Sequence, residues 1–187
     1  MKKENAFDVP PSEFKGLAGI EYFDFEEDFM EQNVRCVPMI VRFKMDAAGI
    51  KLSLAEWSKF SVDERIELAL KKCSNDEEAK LYNDFLAELI KKYTGNNATI
   101  LKVDQHPEWA VLDAVPEYLQ EKAKEINCEI STEQWRSLTD LQRFALLKLY
   151  SPGHEKKNFK KALRNTDDVE SGELFKQLAI LWNAKHS

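Results

Sequence analysis

The chain has 187 residues, of which 43% are hydrophobic and 32% are charged, and its formal net charge is -6 at pH 7. Such a chain can bury a core without disulfide or metal staples, and its acidic balance excludes a global attraction to phosphate backbones or anionic membranes. It lacks both an apolar run of roughly 18 residues and a signal-peptide pattern, so we expect a cytoplasmic protein without membrane insertion.

Three parts are expected along the chain. Residues 1–20 are predicted to form a mobile N-terminal segment, and residues 21–165 to form a single helical domain. Residues 166–187 are predicted to add a C-terminal helix, because apolar residues from Leu174 to Trp182 recur at helical spacing.

An internal repeat organises the domain. Pro116 follows Pro38 by 78 positions, and Trp135 follows Trp57 by the same 78 positions. The matches concentrate where helices begin and end. They predict an all-α, pseudo-duplicated helical array with a first copy over residues 37–93 and a second copy over residues 115–165.

Each copy carries the same local signals. A proline lies in the first turn of the first helix, where the backbone N–H has no partner within the helix and the fixed φ of proline is suitable. A glycine or asparagine, which tolerates a left-handed conformation, ends this helix. Two capping boxes then open a short tryptophan helix and a third helix. The predicted structural residues are Pro38, Gly49, Ser53, Trp57, Ser61 and Arg65 in the first copy, and Pro116, Asn127, Ser131, Trp135, Thr139 and Arg143 in the second.

A fourth helix is predicted after a cap at Ser74, with apolar residues from Leu81 to Tyr93 on one face and Gly95 at its end. The connector between the copies, residues 96–114, contains a β-branched run that predicts a short strand or an extended linker. The Phe23-Asp-Phe25 segment is a candidate to pair with it. Altogether the sequence predicts seven to nine helices and a minor strand pair.

Two pairs of segments resemble the nitrate reductase associated protein family. Residues 35–46 and 49–57 are similar to its N-terminal signature, and residues 138–149 and 151–159 to its C-terminal signature. The tail beyond Asn165 departs from the family pattern.

The resemblance implies a bacterial, non-catalytic accessory protein needed for maturation or activity of assimilatory nitrate reductase, a molybdenum-cofactor and iron–sulfur enzyme. The implied partner is the reductase or its cofactor-assembly machinery. The resemblance carries over no catalytic residue, metal ligand or cofactor, and the sequence contains no recognisable nucleophile or phosphate-binding loop.

Several residues have both a structural and a functional interpretation. We interpret Trp57 and Trp135 as core anchors rather than a binding surface, and expect their neighbours Arg65 and Arg143 to pair with nearby acids. The candidate metal ligands are Cys36, Cys73, Cys128 and His154. Their spacing in the sequence is not that of a metal site, so we interpret the cysteines as reduced thiols that behave as small apolar residues.

A basic segment near the C terminus is the candidate partner surface. Residues 154–164 have Glu155 as their single acid, with Phe159, Ala162 and Leu163 on one helical face. Three interpretations stay open: a solvated helix face, docking onto a partner protein, and a nucleic-acid-binding regulator, which the overall acidity makes less favourable. The candidate surface residues are His154, Lys156, Lys157, Lys160, Lys161 and Arg164.

Overall fold

The computed structural model of the protein describes residues 10–31, 34–125 and 129–150. This part of the chain is mostly helical, as the sequence predicts, and none of its helices has the length and apolar character needed to cross a membrane. Its seven α-helices are α1 (Met39–Ala48), α2 (Leu54–Trp57), α3 (Val62–Leu70), α4 (Asp76–Thr94), α5 (Glu117–Glu125), α6 (Thr132–Ser137) and α7 (Asp140–Tyr150). Two 3-10 helices are Asp24–Asp28 and Glu108–Ala110.

Four two-residue strands form two antiparallel pairs. β1 (Met30–Glu31) pairs with β2 (Val34–Arg35), and β3 (Ile50–Lys51) pairs with β4 (Thr99–Ile100). The predicted pairing of the connector with the Phe23-Asp-Phe25 segment is therefore wrong. Hydrogen bonding from the Leu101 N–H to the Gly49 carbonyl extends the β3–β4 pair, whereas the Phe23 segment forms the N-terminal 3-10 helix.

The helix boundaries follow the local signals in the sequence. Gly49 ends α1 in the left-handed conformation, with φ of 63°. Reciprocal capping boxes at Ser53, Ser61 and Ser131 open α2, α3 and α6, each formed with a glutamate or glutamine three residues later. Pro38 lies one position earlier than predicted, because it is the N-cap of α1 rather than a residue of its first turn.

Corresponding helices of the two copies begin 78 positions apart. The first residues are 39 and 117 for α1 and α5, 54 and 132 for α2 and α6, and 62 and 140 for α3 and α7. Thr139 and Gln142 also exchange the two capping hydrogen bonds, at 3.0 and 3.2 Å. Asn127 lies outside the described residues, and superposition of the copies as duplicated units stays a prediction.

The fourth helix, α4, is the longest. Its N-cap is Asn75 rather than the predicted Ser74, and Gly95 ends it in the left-handed conformation. The predicted apolar face is also wrong at its first residue, since Leu81 is 55% exposed and its neighbour Tyr82 is fully buried. Tyr82 precedes the buried Leu86 by one helical turn, so the buried face begins there.

Two clusters of buried side chains form the core, and α1 contributes to both. Val41 and Met45 belong to the cluster built around the first copy, whereas Met39 belongs to the cluster built around the second. Ile40 packs against both clusters. The two copies are therefore joined through α1, which also contacts α7.

The N-terminal segment is partly packed onto the first copy. Phe14 is buried, and its ring stacks on Trp57 with the centroids 6.1 Å apart. At least this part of the segment predicted to be mobile belongs to the packed domain. The basic segment 154–164 and the predicted C-terminal helix lie outside the described residues.

Candidate functional site

A cleft of about 340 Å³ lies between the two copies, where the connector crosses α1, α5 and α7. α1 lines it with Phe43 and Asp46, and α7 lines it with Phe144 and Lys148. The remaining lining residues are Ala47, Leu101, Lys102, Asp104, Pro107, Glu108, Trp109, Tyr118 and Leu147. The cleft thus brings together α1 and α7, whose sequences carry the two family signatures.

Aromatic rings form one wall of the cleft. The Phe43 ring centroid lies 5.0 Å from that of Trp109 and 5.3 Å from that of Phe144, with the latter pair arranged edge to face. Such tilted and T-shaped pairs are favourable arrangements for aromatic quadrupoles. They fix the connector, through Trp109, against one helix of each copy.

An ion pair crosses the cleft. Lys148 Nζ lies 2.9 Å from the Asp46 carboxylate, and 5.1 Å from the centroid of the Phe144 ring. Both charged side chains are more than 40% exposed, so the ion pair positions the helices more than it stabilises them.

A second polar contact fixes the connector against α5. The Tyr118 hydroxyl donates to the Glu108 carboxylate at 3.2 Å. Burial and the negative charge of Glu108 raise the pKa of Tyr118, so the phenol keeps the proton that makes this bond.

Residues predicted to be structural hold the connector in place. The Trp135 indole N–H donates to the Val111 carbonyl at 2.7 Å, and Arg143 Nε donates to the Trp109 carbonyl at 2.7 Å. Arg143 is almost fully buried and also pairs with Asp140. Its guanidinium lies 5.9 Å from the Trp135 ring centroid. This Trp–Arg pair therefore positions one side of the cleft.

The corresponding pair in the first copy holds the N-terminal segment instead. The guanidinium of Arg65 lies 5.4 Å from the Trp57 ring centroid and pairs with Glu13 at 3.1 Å. Trp57 and Trp135 are 1% and 0% exposed. Both tryptophans are therefore buried in the core, and each arginine pairs with an acid.

The connector exposes apolar side chains next to the cleft. Ile100 is 62% exposed, Leu101 45%, Val111 48% and Leu112 42%. Of the seven large apolar side chains that are exposed within residues 10–31, 34–125 and 129–150, these are four. Exposed apolar side chains that are concentrated in one segment are typical of an interaction surface.

Acidic side chains border the same surface. Asp104, Glu108, Asp113 and Glu117 are exposed, whereas Lys102 is the single lysine or arginine between positions 99 and 117. Asp113 pairs with Arg136 at 2.9 Å. Residues 99–117 therefore combine a formal charge of -3 with exposed apolar groups.

Two of the three cysteines belong to the described residues. Cys36 and Cys73 are both half-buried, and Cys128 lies outside the described residues. Burial raises the pKa of the Cys73 thiol, which disfavours the thiolate that binds metals. In the described part of the chain, no three residues of the types His, Cys, Asp and Glu are grouped to hold a metal ion.

A buried carboxylate lies at the start of α1. Glu26 is 5% exposed, and it accepts hydrogen bonds from the Met39 N–H at 2.7 Å and the Phe23 N–H at 3.2 Å. Burial raises the pKa of Glu26 to about 7 in spite of these bonds. This group thus caps α1 from a segment outside the repeat.

The sequence did not indicate the cleft. Its lining comes from α1, the connector, α5 and α7, and no spacing pattern links Phe43, Trp109 and Phe144 along the chain. The usable signal was the run of apolar and acidic residues in the connector, which is unusual for a solvated linker. The predicted surface residues His154 to Arg164 lie outside the described residues.

Comparison with known proteins identifies the family of the chain. Neither the curated proteins nor the solved structures contain a match to this chain. The family described as conserved nitrate reductase-associated protein matches residues 22–166, which include every helix described above and the cleft. The chain therefore belongs to the nitrate reductase-associated protein family.

Proposed function

We propose that the protein is a non-catalytic, cytoplasmic accessory of assimilatory nitrate reductase. In this proposal it binds the reductase, or a protein that assembles the cofactors of the reductase, through the cleft and the connector. Family membership supports the association with nitrate reductase. The binding surface is inferred from the side chains that the connector exposes.

The observation that carries the proposal is the exposed apolar surface of the connector. A segment that is only solvated does not need large apolar side chains such as Leu101 and Val111. Covering each of them with a partner is favourable, because it removes apolar surface from water. Trp135 and Arg143 fix the backbone at Val111 and Trp109, and the hydrogen bond from the Leu101 N–H to the Gly49 carbonyl fixes the backbone at Leu101. A prepositioned apolar surface binds with less loss of conformational entropy than a mobile loop.

The cleft favours binding over catalysis. Three of its charged side chains are occupied by internal contacts, in the Asp46–Lys148 ion pair and in the hydrogen bond from Tyr118 to Glu108. Tyr118, the lining residue whose pKa is shifted, holds its proton more firmly than usual. A general acid or base working near neutral pH requires the opposite shift.

The test is a pull-down with tagged full-length protein from a nitrate-grown native host. Leu101→Asp and Leu112→Asp place a charge on the exposed apolar surface without touching the core. We expect each variant to recover at least about tenfold less nitrate reductase or cofactor-assembly protein. A charge at the centre of an apolar contact costs more binding free energy than a charge at its rim.

Leu81→Asp is the control, since Leu81 is a leucine that is at least as exposed as Leu101 and Leu112 but lies on the outer face of α4. It should leave recovery unchanged, and circular dichroism should show the same helix content for all three variants. Equal recovery with the connector variants and the control would assign binding to another surface. Failure of the wild-type protein to recover any of these proteins under mild crosslinking would contradict the accessory role itself.

A further inference from the structure

Strand β4 lies at the edge of its sheet. Among the described residues, β4 pairs with β3 alone. The Leu101 N–H donates to the Gly49 carbonyl at 2.7 Å, so the backbone groups of Leu101 face β3. Backbone groups of successive residues in a strand face opposite sides. The N–H and C=O groups of Ile100 and Lys102 therefore face away from β3, along the outer edge of the sheet.

This outer edge is exposed, and it continues into the cleft. Ile100 is 62% exposed and Leu101 is 45% exposed. Leu101 and Lys102 also line the cleft. A strand edge that carries exposed apolar side chains is a template on which another extended chain can pair. In such a contact the backbone hydrogen bonds give affinity, and the alternating side chains give specificity.

Close packing against the end of α1 holds this edge in place. A Cβ at Gly49 would lie 2.7 Å from the Leu101 carbonyl oxygen and 2.8 Å from Cγ2 of Val103. Residues 101–103 therefore lie directly against the backbone that ends α1. An edge that is already extended loses less conformational entropy on binding than a mobile loop does.

Charge selects the kind of chain that can pair with this edge. Asp104, Glu108 and Glu117 are exposed, and residues 99–117 together carry a formal charge of -3. A second copy of the chain would bring the same negative charge and a second Lys102 to the edge. Repulsion of like charges, and a lysine on the edge itself, oppose pairing between copies. A basic segment is attracted instead.

We propose that β4 binds an extended segment of the partner as a third strand, and that apolar and basic side chains alternate along this segment. The inference rests on the proposed function, because it names the chemistry that the same surface receives. The backbone of the segment bonds to the outward groups of Ile100 and Lys102. Its apolar side chains cover Leu101 at the cleft, and its basic side chains reach Asp104 from the other face.

A short synthetic peptide in which valine and lysine alternate is the probe, since it supplies this chemistry without a partner protein. Isothermal titration calorimetry with the full chain measures its affinity. We expect Ile100→Pro to bind the peptide about tenfold more weakly than wild type does. Proline removes the outward N–H of residue 100 and leaves the hydrogen bond from Leu101 to Gly49 in place.

The conservative variant Ile100→Val keeps both the N–H and a branched apolar side chain, so its affinity should lie within about twofold of wild type. Hydrogen exchange of the Leu101 amide should be equally slow in wild type and both variants. Equal protection shows that the β3–β4 pair is intact, so any loss of affinity belongs to the outer edge.

Backbone N-methylation of the peptide tests the same contact without changing the protein. Methylation of every valine blocks one edge of the extended peptide, and methylation of every lysine blocks the other edge. We expect one methylated peptide to bind at least about tenfold more weakly than the other, because only one edge can face β4. A peptide with glutamate in place of lysine should also bind about tenfold more weakly.

Four results would overturn the inference. The unmodified peptide could fail to bind at about millimolar concentration, which is the weakest affinity expected of such a contact. The two methylated peptides could bind equally, or the glutamate peptide could bind as tightly as the lysine peptide. Finally, a dimer of the chain that the peptide dissociates would assign the edge to a second copy.

The pull-down separates this inference from the proposed function. Ile100→Pro should recover less nitrate reductase or cofactor-assembly protein than Ile100→Val. Equal recovery by the two variants would overturn the strand pairing and leave the proposed function intact. Failure of the wild-type protein to recover any of these proteins would contradict the proposed function, whereas the peptide measurements do not depend on it.

Discussion

The two copies use the same Trp–Arg pair for different tasks. In the first copy, Trp57 stacks on the Phe14 ring and Arg65 pairs with Glu13, so the pair holds side chains of the N-terminal segment. In the second copy, Trp135 and Arg143 hold backbone carbonyls of the connector. In each case the Trp–Arg pair holds a segment that lies outside its own helices, and the two segments differ: the N-terminal segment for Trp57 and Arg65, and the connector for Trp135 and Arg143.

The largest expected effect comes from removing the tryptophans. The sequence alone predicts similar losses of roughly 3 to 5 kcal/mol for Trp57→Ala and Trp135→Ala. The structure sharpens this, because Trp135→Ala also leaves the Val111 carbonyl without its donor, which adds about 1 kcal/mol. Urea denaturation should therefore give the greater loss in the free energy of unfolding for Trp135→Ala. Equal losses would show that the hydrogen bond to the connector contributes nothing.

A second difference between α1 and α5 lies at their N-termini. The buried carboxylate of Glu26 accepts a hydrogen bond from the first residue of α1, Met39. Because the pKa of Glu26 rises from 4.5 to about 7 on folding, the folded state holds the proton more tightly. The stabilisation that Glu26 contributes is fully present below pH 4.5 and should fall by about 3 kcal/mol as pH rises to about 7. Thermal unfolding between pH 5 and 7.5 should show this decline, and Glu26→Gln should remove it. A decline that persists in Glu26→Gln would assign the pH dependence to another group.

The third prediction is that Arg143 and Arg65 contribute differently to the free energy of unfolding. Arg143→Ala leaves the buried Leu138 carbonyl and the partly buried Trp109 carbonyl without their donor and breaks the ion pair with Asp140, so we expect a loss of about 2 to 3 kcal/mol. Arg65→Ala should cost about 1 kcal/mol, because its ion pair with Glu13 is partly exposed. Chemical denaturation measures both. Arg143→Lys should fail to restore stability, since an ammonium group cannot reproduce the fork of donors.

The smallest expected effect concerns the left-handed glycines. A Cβ at Gly49 would lie 2.7 Å from the Leu101 carbonyl oxygen, whereas a Cβ at Gly95 would meet no atom within 4 Å. Gly95→Ala should cost about 1 kcal/mol for its backbone conformation alone, and Gly49→Ala about 2 kcal/mol because the connector must also move. Matched melting curves should rank the two in this order. The reverse order would mean that the β3–β4 contact is easily displaced.

Local features could be predicted from the sequence. Capping boxes at Ser53 and Ser61 and the end of α1 at Gly49 depend on residues within one helical turn, so their pattern is visible in the chain. Burial of both tryptophans follows from their place on short capped helices. The one-residue differences at Pro38 and Asn75 reflect competition between neighbouring cap residues.

The cleft could not be predicted, for a physical reason. Phe43, Trp109 and Phe144 come together through tertiary packing across about a hundred residues, and no periodicity encodes that contact. The strand partner of the connector was missed likewise, because the choice of β3 depends on the close approach that Gly49 permits.

The sharing of α1 between the two core clusters has a consequence for how the protein is made. The second cluster needs Phe25, Phe29 and Met39, which leave the ribosome more than a hundred residues before Leu149, its last member. Those side chains cannot be covered until the C-terminal helices have been synthesised. The second cluster therefore forms through contacts of long sequence separation, which form slowly. A chain divided at the connector would give a C-terminal fragment that lacks part of its own interior. The two halves of the chain share one interior through α1, so we expect that neither half would fold when it is produced separately.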